Sequence, residues 1–134
     1  MSLTLGPNLL NDMIAHAKNC LPEEACGLVV IRPPHDIRFL ALPNSLRSET
    51  AYEIDPALLA TTFRKLRDSG EELLAIFHSH PKGPAHPSKR DLEHAFYPEV
   101  AHIIVSLADP ERPQARGFRI IDGEAFEIEL HAIV

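Results

Sequence analysis

The segment Leu73-Leu-Ala-Ile-Phe77 is apolar at every position and then ends in His78-Ser-His80-Pro81. A strand with one wet face would alternate polar and apolar residues, so this run predicts a central strand covered on both sides. Such a strand requires a sheet with helices packed against it. Cys26-Gly-Leu-Val-Val-Ile31 is a second apolar run of strand length, closed by Pro33-Pro34. No run approaches the roughly 18 residues of a membrane helix, so no membrane association is expected. The beginning, Met-Ser-Leu-Thr-Leu, carries no signal-peptide pattern, and Cys20 and Cys26 make no disulfide framework. A cytoplasmic protein is therefore expected. The 134 residues suit one domain, 1–134. With 13 basic against 19 acidic residues, net −6, neither nucleic acid nor an anionic membrane is favoured as a partner.

The remaining elements follow from periodicity and breakers. Residues 7–19 place Leu9, Leu10, Met13, Ile14 and Ala17 at helical spacing, with Pro7 at the first turn and Pro22 beyond the end. Residues 37–42 predict a strand, and Tyr52 to Ile54 a short one. Asp55-Pro56 starts a helix whose buried stripe is Leu58, Leu59, Phe63 and Leu66. A Pro- and Gly-rich loop, 81–87, precedes a short helix from Ser88 to about Tyr97 and a strand around 102–107. A hairpin at Asp122-Gly123 closes the chain. A two-residue turn there would set Phe126 opposite Arg119, whereas a three-residue bulged loop would set it opposite Ile120 and match apolar to apolar. The bulged loop is the expectation. The order αβββαβαβββ describes an α+β domain with a mixed sheet flanked by helices.

Chemistry concentrates at the end of the apolar strand. Residues i and i+2 of a strand share a face, so His78 and His80 project together where the chain turns. Two imidazoles so placed can share one metal ion, and Asp91, in the first turn of the next helix, can supply a third ligand. Two histidines and a carboxylate leave a position for water, the pattern of a catalytic zinc, one per chain. Neither a thiolate set nor enough oxygens for calcium lies nearby. Ser88-x-x-Asp91 is equally a capping-box variant, and capping is compatible with ligation. The activated water needs a proton acceptor outside the ligand set, and Pro22-Glu23-Glu24-Ala-Cys26-Gly27 offers two adjacent carboxylates. Spacing alone does not choose between Glu23 and Glu24. Cys26 reads as a small buried residue opening a strand. His86 sits in the loop and could contact substrate. His16, His35, His94, His102 and His131 lack paired spacing and read as surface or satisfied structural residues.

His78-x-His80, seven residues, Ser88, two residues, Asp91, together with the upstream Pro-x-Glu-x-Cys-Gly pattern, resembles the JAMM (MPN-plus) metalloprotease family. Asn44 and Tyr52-Glu-Ile-Asp-Pro56 resemble the intervening segment of its small prokaryotic members. The resemblance implies an α+β JAMM/MPN domain similar to the cytidine deaminase fold. It implies zinc on His78, His80 and Asp91, Glu24 as general acid/base, and Ser88 as stabiliser of the oxyanion. It also implies a peptidase or isopeptidase acting after the Gly-Gly tail of a ubiquitin-like, sulfur-carrier protein, adducts with cysteine included. The edge of the Tyr52–Ile54 strand would suit such a tail. Two other classes compete: a non-catalytic scaffold with a structural metal, and a nucleic-acid-associated hydrolase, which the negative charge disfavours. The oligomeric state stays open, a homodimer included.

Overall fold

The computed structural model describes residues 2–132. The elements are β1 (Ser2–Leu5), α1 (Pro7–Cys20), β2 (Cys26–Arg32), β3 (Asp36–Leu42), α2 (Pro56–Asp68), β4 (Glu72–His80), α3 (Lys89–Glu93), β5 (Ala101–Ser106), β6 (Gln114–Ile121) and β7 (Glu124–Ala132). They form one seven-stranded sheet in the order β1-β7-β6-β5-β4-β2-β3. It is mixed: β4 pairs parallel to β5 and antiparallel to β2, and β1 runs parallel to β7. No helix among the described residues is long and apolar enough to cross a membrane.

As the apolar run requires, β4 is central and both its faces are covered. Ala75 and Phe77 pack with Val29, Ile103, Val105 and the α1 residues Met13 and Ala17. Ile76 faces the other way, packing with Leu28, Val30 and Leu66 of α2. Asp55 starts α2 as foreseen, its carboxylate accepting from the Leu58 amide at 3.1 Å.

Four sequence expectations are corrected. First, β1 replaces a strand at Tyr52–Ile54, which is an unpaired connection with no sheet edge to offer. Asn44 does a neighbouring strand's work there: its side chain accepts from Glu53 N at 3.2 Å and donates to Ala51 O at 3.0 Å. Second, the hairpin has a strict two-residue turn, with Arg119 opposite Phe126. Asp122 (φ 52°) and Gly123 (φ 77°) both adopt left-handed backbone, the conformation that matches strand twist in a tight hairpin. Apolar matching misled because both sheet faces are covered. Phe118 and Ile120 are buried on the α2 side, whereas Ile128, opposite Gly117, is buried beneath α1, leaving Phe126 half exposed. Third, α3 stops at Glu93. Pro98 disfavours helical backbone at Tyr97, which instead packs edge-on to Phe63, ring centroids 6.0 Å apart. Fourth, His102 is neither on the surface nor satisfied; its place is given below.

Candidate metal centre and active site

The C-terminal end of β4 delivers His78 and His80 to one point on the α2 face of the sheet. Their Nε2 atoms are 3.1 Å apart, and Asp91 Oδ2 lies 3.0 Å from each. Asp91 reaches them because α3 is set by a full capping box. Ser88 Oγ accepts from Asp91 N at 3.1 Å, and Asp91 Oδ2 accepts from Ser88 N at 2.9 Å. Capping and convergence on the histidines therefore use the same carboxylate.

His80 is held by its other nitrogen. Nδ1 lies 2.8 Å from the carbonyl of Pro84, which can only accept, so Nδ1 carries a proton and Nε2 is the nitrogen turned to the cluster. The ring of His78 is buried and stacked on Tyr52, centroids 4.6 Å apart at 22°. Tyr52 is thus a wall of the site, a role its sequence context did not reveal.

Glu24 arrives from the other side of the β2–β4 ladder. Its backbone is fixed three ways: Glu24 N donates to Ser48 O at 2.8 Å, Asn44 Nδ2 donates to Glu24 O at 3.1 Å, and the next amide, Ala25 N, donates to Ser79 Oγ at 2.8 Å. Ser79, the middle residue of His-x-His, therefore ties the glutamate segment to the histidine strand. A carboxylate oxygen of Glu24 and the ring nitrogens of His78 and His80 all lie within 4.8 Å of one another. Glu24 is buried, and its Oε1 has no hydrogen-bond partner among the described residues. Burial pushes its carboxyl up to about 7; His80 and Arg90 counter this, while Asp91 adds to it. Burial would also raise Asp91, but the bonds from His78, His80 and Ser88 N outweigh it and hold that group well below the usual carboxylate range.

This donor set fits a metal ion. Nitrogen and oxygen ligands about 2.0–2.1 Å from a tetrahedral zinc stand roughly 3.3 Å apart, close to the spacings here. Three acceptors facing one another at such range need a cation between them or protons to hold them. The unpartnered Glu24 oxygen beside them suits a water proton.

Cys26 is buried with its thiol 3.5 Å from the Leu42 and Pro43 carbonyls, and burial pushes it up to about 12, so it is no ligand. Glu23 shares none of the cluster's contacts. His86 lines the cavity beside the cluster, its ring edge-on to Phe118 at 5.3 Å. His102 is buried at 4% exposure with Nε2 unpartnered among the described residues, and burial, reinforced by His78, pushes it down to about 4. Its apolar neighbours in the sequence gave no hint of this.

Two cavities flank the cluster. One, about 640 Å³, lies between Glu24, Ser48–Thr50 and the 80–88 loop. The other, about 420 Å³, is lined by Tyr52, Leu59, Phe63, Ile76, Tyr97 and His102, among others.

A sheet carrying a His-x-His strand end, a capping aspartate and a buried glutamate defines a JAMM-type metal site. The sequence pattern of the family described as "Prokaryotic homologs of the JAB domain" (Prok-JAB) matches residues 7–120. Over 133 residues the chain is 33% identical to the CysO-cysteine peptidase of Mycobacterium tuberculosis, covering 98% of this chain and 91% of that one. It is 44% identical over 88 residues to a probable TtuB-protein conjugate cleaving protease of Thermus thermophilus, 65% of this chain and 59% of that one. A JAB1/MPN domain protein from Archaeoglobus fulgidus shares the fold, with a TM-score of 0.60 at 23% identity over 98% of this chain and 99% of that one. The chain belongs to the prokaryotic JAB family, of the JAMM type.

Proposed function

We propose that residues 1–134 act as one cytoplasmic domain that hydrolyses the bond after a C-terminal Gly-Gly of a ubiquitin-like sulfur-carrier protein. Family membership and the peptidases among its relatives make the chain a JAMM-type hydrolase. The observation that carries the reading is the meeting of His78, His80 and Asp91 within 3.1 Å beside a buried carboxylate with an unpartnered oxygen.

In this reading His78, His80 and Asp91 hold one zinc ion. When bound, the ion polarises the scissile carbonyl and makes the attacking water more acidic. Glu24 takes a proton from that water. Burial raises its carboxyl, which strengthens it as a proton acceptor. The water oxygen bonds to the glycine carbonyl carbon, the C–N bond breaks, and Glu24 passes the proton to the departing nitrogen. Ser88 Oγ accepts from Asp91 N, which leaves its own proton for the oxyanion of the tetrahedral intermediate. Glycine before the bond lets the backbone lie close in a narrow cleft where side chains would obstruct it.

The test pairs metal analysis with cleavage. Wild-type protein should carry one zinc equivalent and release product from a carrier ending in Gly-Gly, but not from one ending in Ala-Ala. His80→Ala should lose the stoichiometric metal, since two protein ligands hold zinc poorly. Full zinc retention in that variant would remove the ligand assignment. A zinc-loaded protein that cleaves neither carrier would be a scaffold.

A further inference from the structure

The 640 Å³ cavity is lined by Glu24, His80 and Ser88 and also by the exposed Lys82. Resting on the reading above, we propose that Lys82 recognises a free carboxylate on the leaving group. The preferred adduct is then an amino acid joined through its α-nitrogen, rather than a lysine side chain of a second protein.

Three observations carry this. Lys82 stands two residues beyond His80 on a loop that cannot wander. Three prolines, 81, 84 and 87, fix its backbone angles. Ser106 Oγ donates to Gly83 O at 2.6 Å, His80 Nδ1 donates to Pro84 O at 2.8 Å, and Ala85 is buried. The lysine is thus presented from a pre-formed loop, which limits the entropy lost on binding.

Secondly, Lys82 is exposed and, among the described residues, makes no ion pair, in a chain of net charge −6. By contrast Lys89, on the adjoining helix, is paired with Glu93 at 4.0 Å. Thirdly, Lys82 is the one lysine or arginine among the described residues that line this cavity, so an anionic group entering it is drawn there.

The scissile nitrogen must lie near Glu24 to receive its proton. In an α-linked amino acid the carboxylate is two bonds from that nitrogen. In an isopeptide the corresponding position is a methylene, which a cation cannot distinguish. Lys82, a compact charge on a flexible four-carbon stem, can follow the carboxylate as the product leaves.

The experiment uses zinc-loaded full-length protein and one small Gly-Gly carrier protein joined to cysteine, to cysteamine (the same group without its carboxylate), or to the Nε of a lysine peptide. Wild type should show kcat/KM for the cysteine adduct roughly tenfold above that for the cysteamine adduct, the size of one charge-assisted hydrogen bond. Lys82→Ala should bring that ratio close to one, through KM, while Lys82→Arg should largely keep it. A wild-type ratio near one, or a ratio unmoved by Lys82→Ala, would overturn the proposal while leaving Gly-Gly cleavage intact. Cleavage of none of the three adducts would overturn the hydrolase reading and this proposal with it.

Discussion

Glu24 and Glu71 are both buried glutamates, and they stand at opposite ends of the β2–β4 ladder. Glu71 is fully partnered. Arg38 donates to it through Nε at 2.7 Å and Nη2 at 2.9 Å, and Ser69 Oγ donates at 2.8 Å. These bonds hold its carboxyl down at about 2. Glu24 has an oxygen with no partner and is pushed the other way, to about 7. The same side chain in the same sheet is thus satisfied where it serves the fold and left wanting where chemistry is placed. Buried polar groups without partners are destabilising, so their survival marks a site. The other two such atoms among the described residues, His78 Nδ1 and His102 Nε2, belong to the Glu24 end as well.

What joins the two ends should show the largest effect. Phe77 lies in the interior of β4, fully buried, edge-on to Phe39 with ring centroids 5.3 Å apart. Phe77→Ala should lower stability by about 3–5 kcal/mol, from lost burial and the cavity left behind. Chemical unfolding would measure it, and a loss under about 1 kcal/mol would show that the two halves of β4 do not share one core.

The second effect separates the ends. Glu24→Gln keeps the shape of the side chain but removes the proton acceptor. Turnover should fall roughly a hundredfold or more, with zinc content and Tm unchanged or Tm slightly raised. Glu23→Gln, outside the cluster, should be far milder. Equal losses in the two variants would erase the distinction between Glu24 and an ordinary surface carboxylate. A large fall in Tm in Glu24→Gln would make Glu24 a structural residue like Glu71.

The sequence made the working end more legible than its supports. An apolar strand ending in His-x-His, followed by a capping-box spacing, is local information, and both features stand where the spacing put them. Convergence of Glu24 on the histidines depends on the β2–β4 pairing, in which Cys26 sits opposite His78. Only the family resemblance singled out that glutamate. What could not be read was long-range. β1 has just two alternating leucines, and it forms only because β7, at the far end of the chain, offers a parallel edge. Tyr52 looked like strand because Tyr52 and Ile54 alternate with Glu53, yet its ring is spent on the face of His78. The Glu71 cluster unites Arg38 of β3 with Ser69 and Glu71, two separate segments with no local signature.

That cluster sets the smallest expected effect, and its sign follows from the direction of the shift. The folded-state carboxyl, at about 2, lies below the ordinary value near 4.3 of an unfolded glutamate. The native state therefore binds the proton less well than the unfolded chain does. The stabilisation is fully present above about pH 4.3 and disappears as the pH falls through about 2. Arg38 is half exposed, 50% against 5% for Glu71, so solvent and salt screen the pair and the gain is modest. Glu71→Gln should lower Tm slightly at pH 7 without altering turnover, and the gap between variant and wild type should close on acidification towards pH 2. High salt at pH 7 should narrow it too. A gap equally wide at both pH values would mean that Glu71 acts by packing alone. Its contrast with Glu24 would then be one of shape rather than of charge.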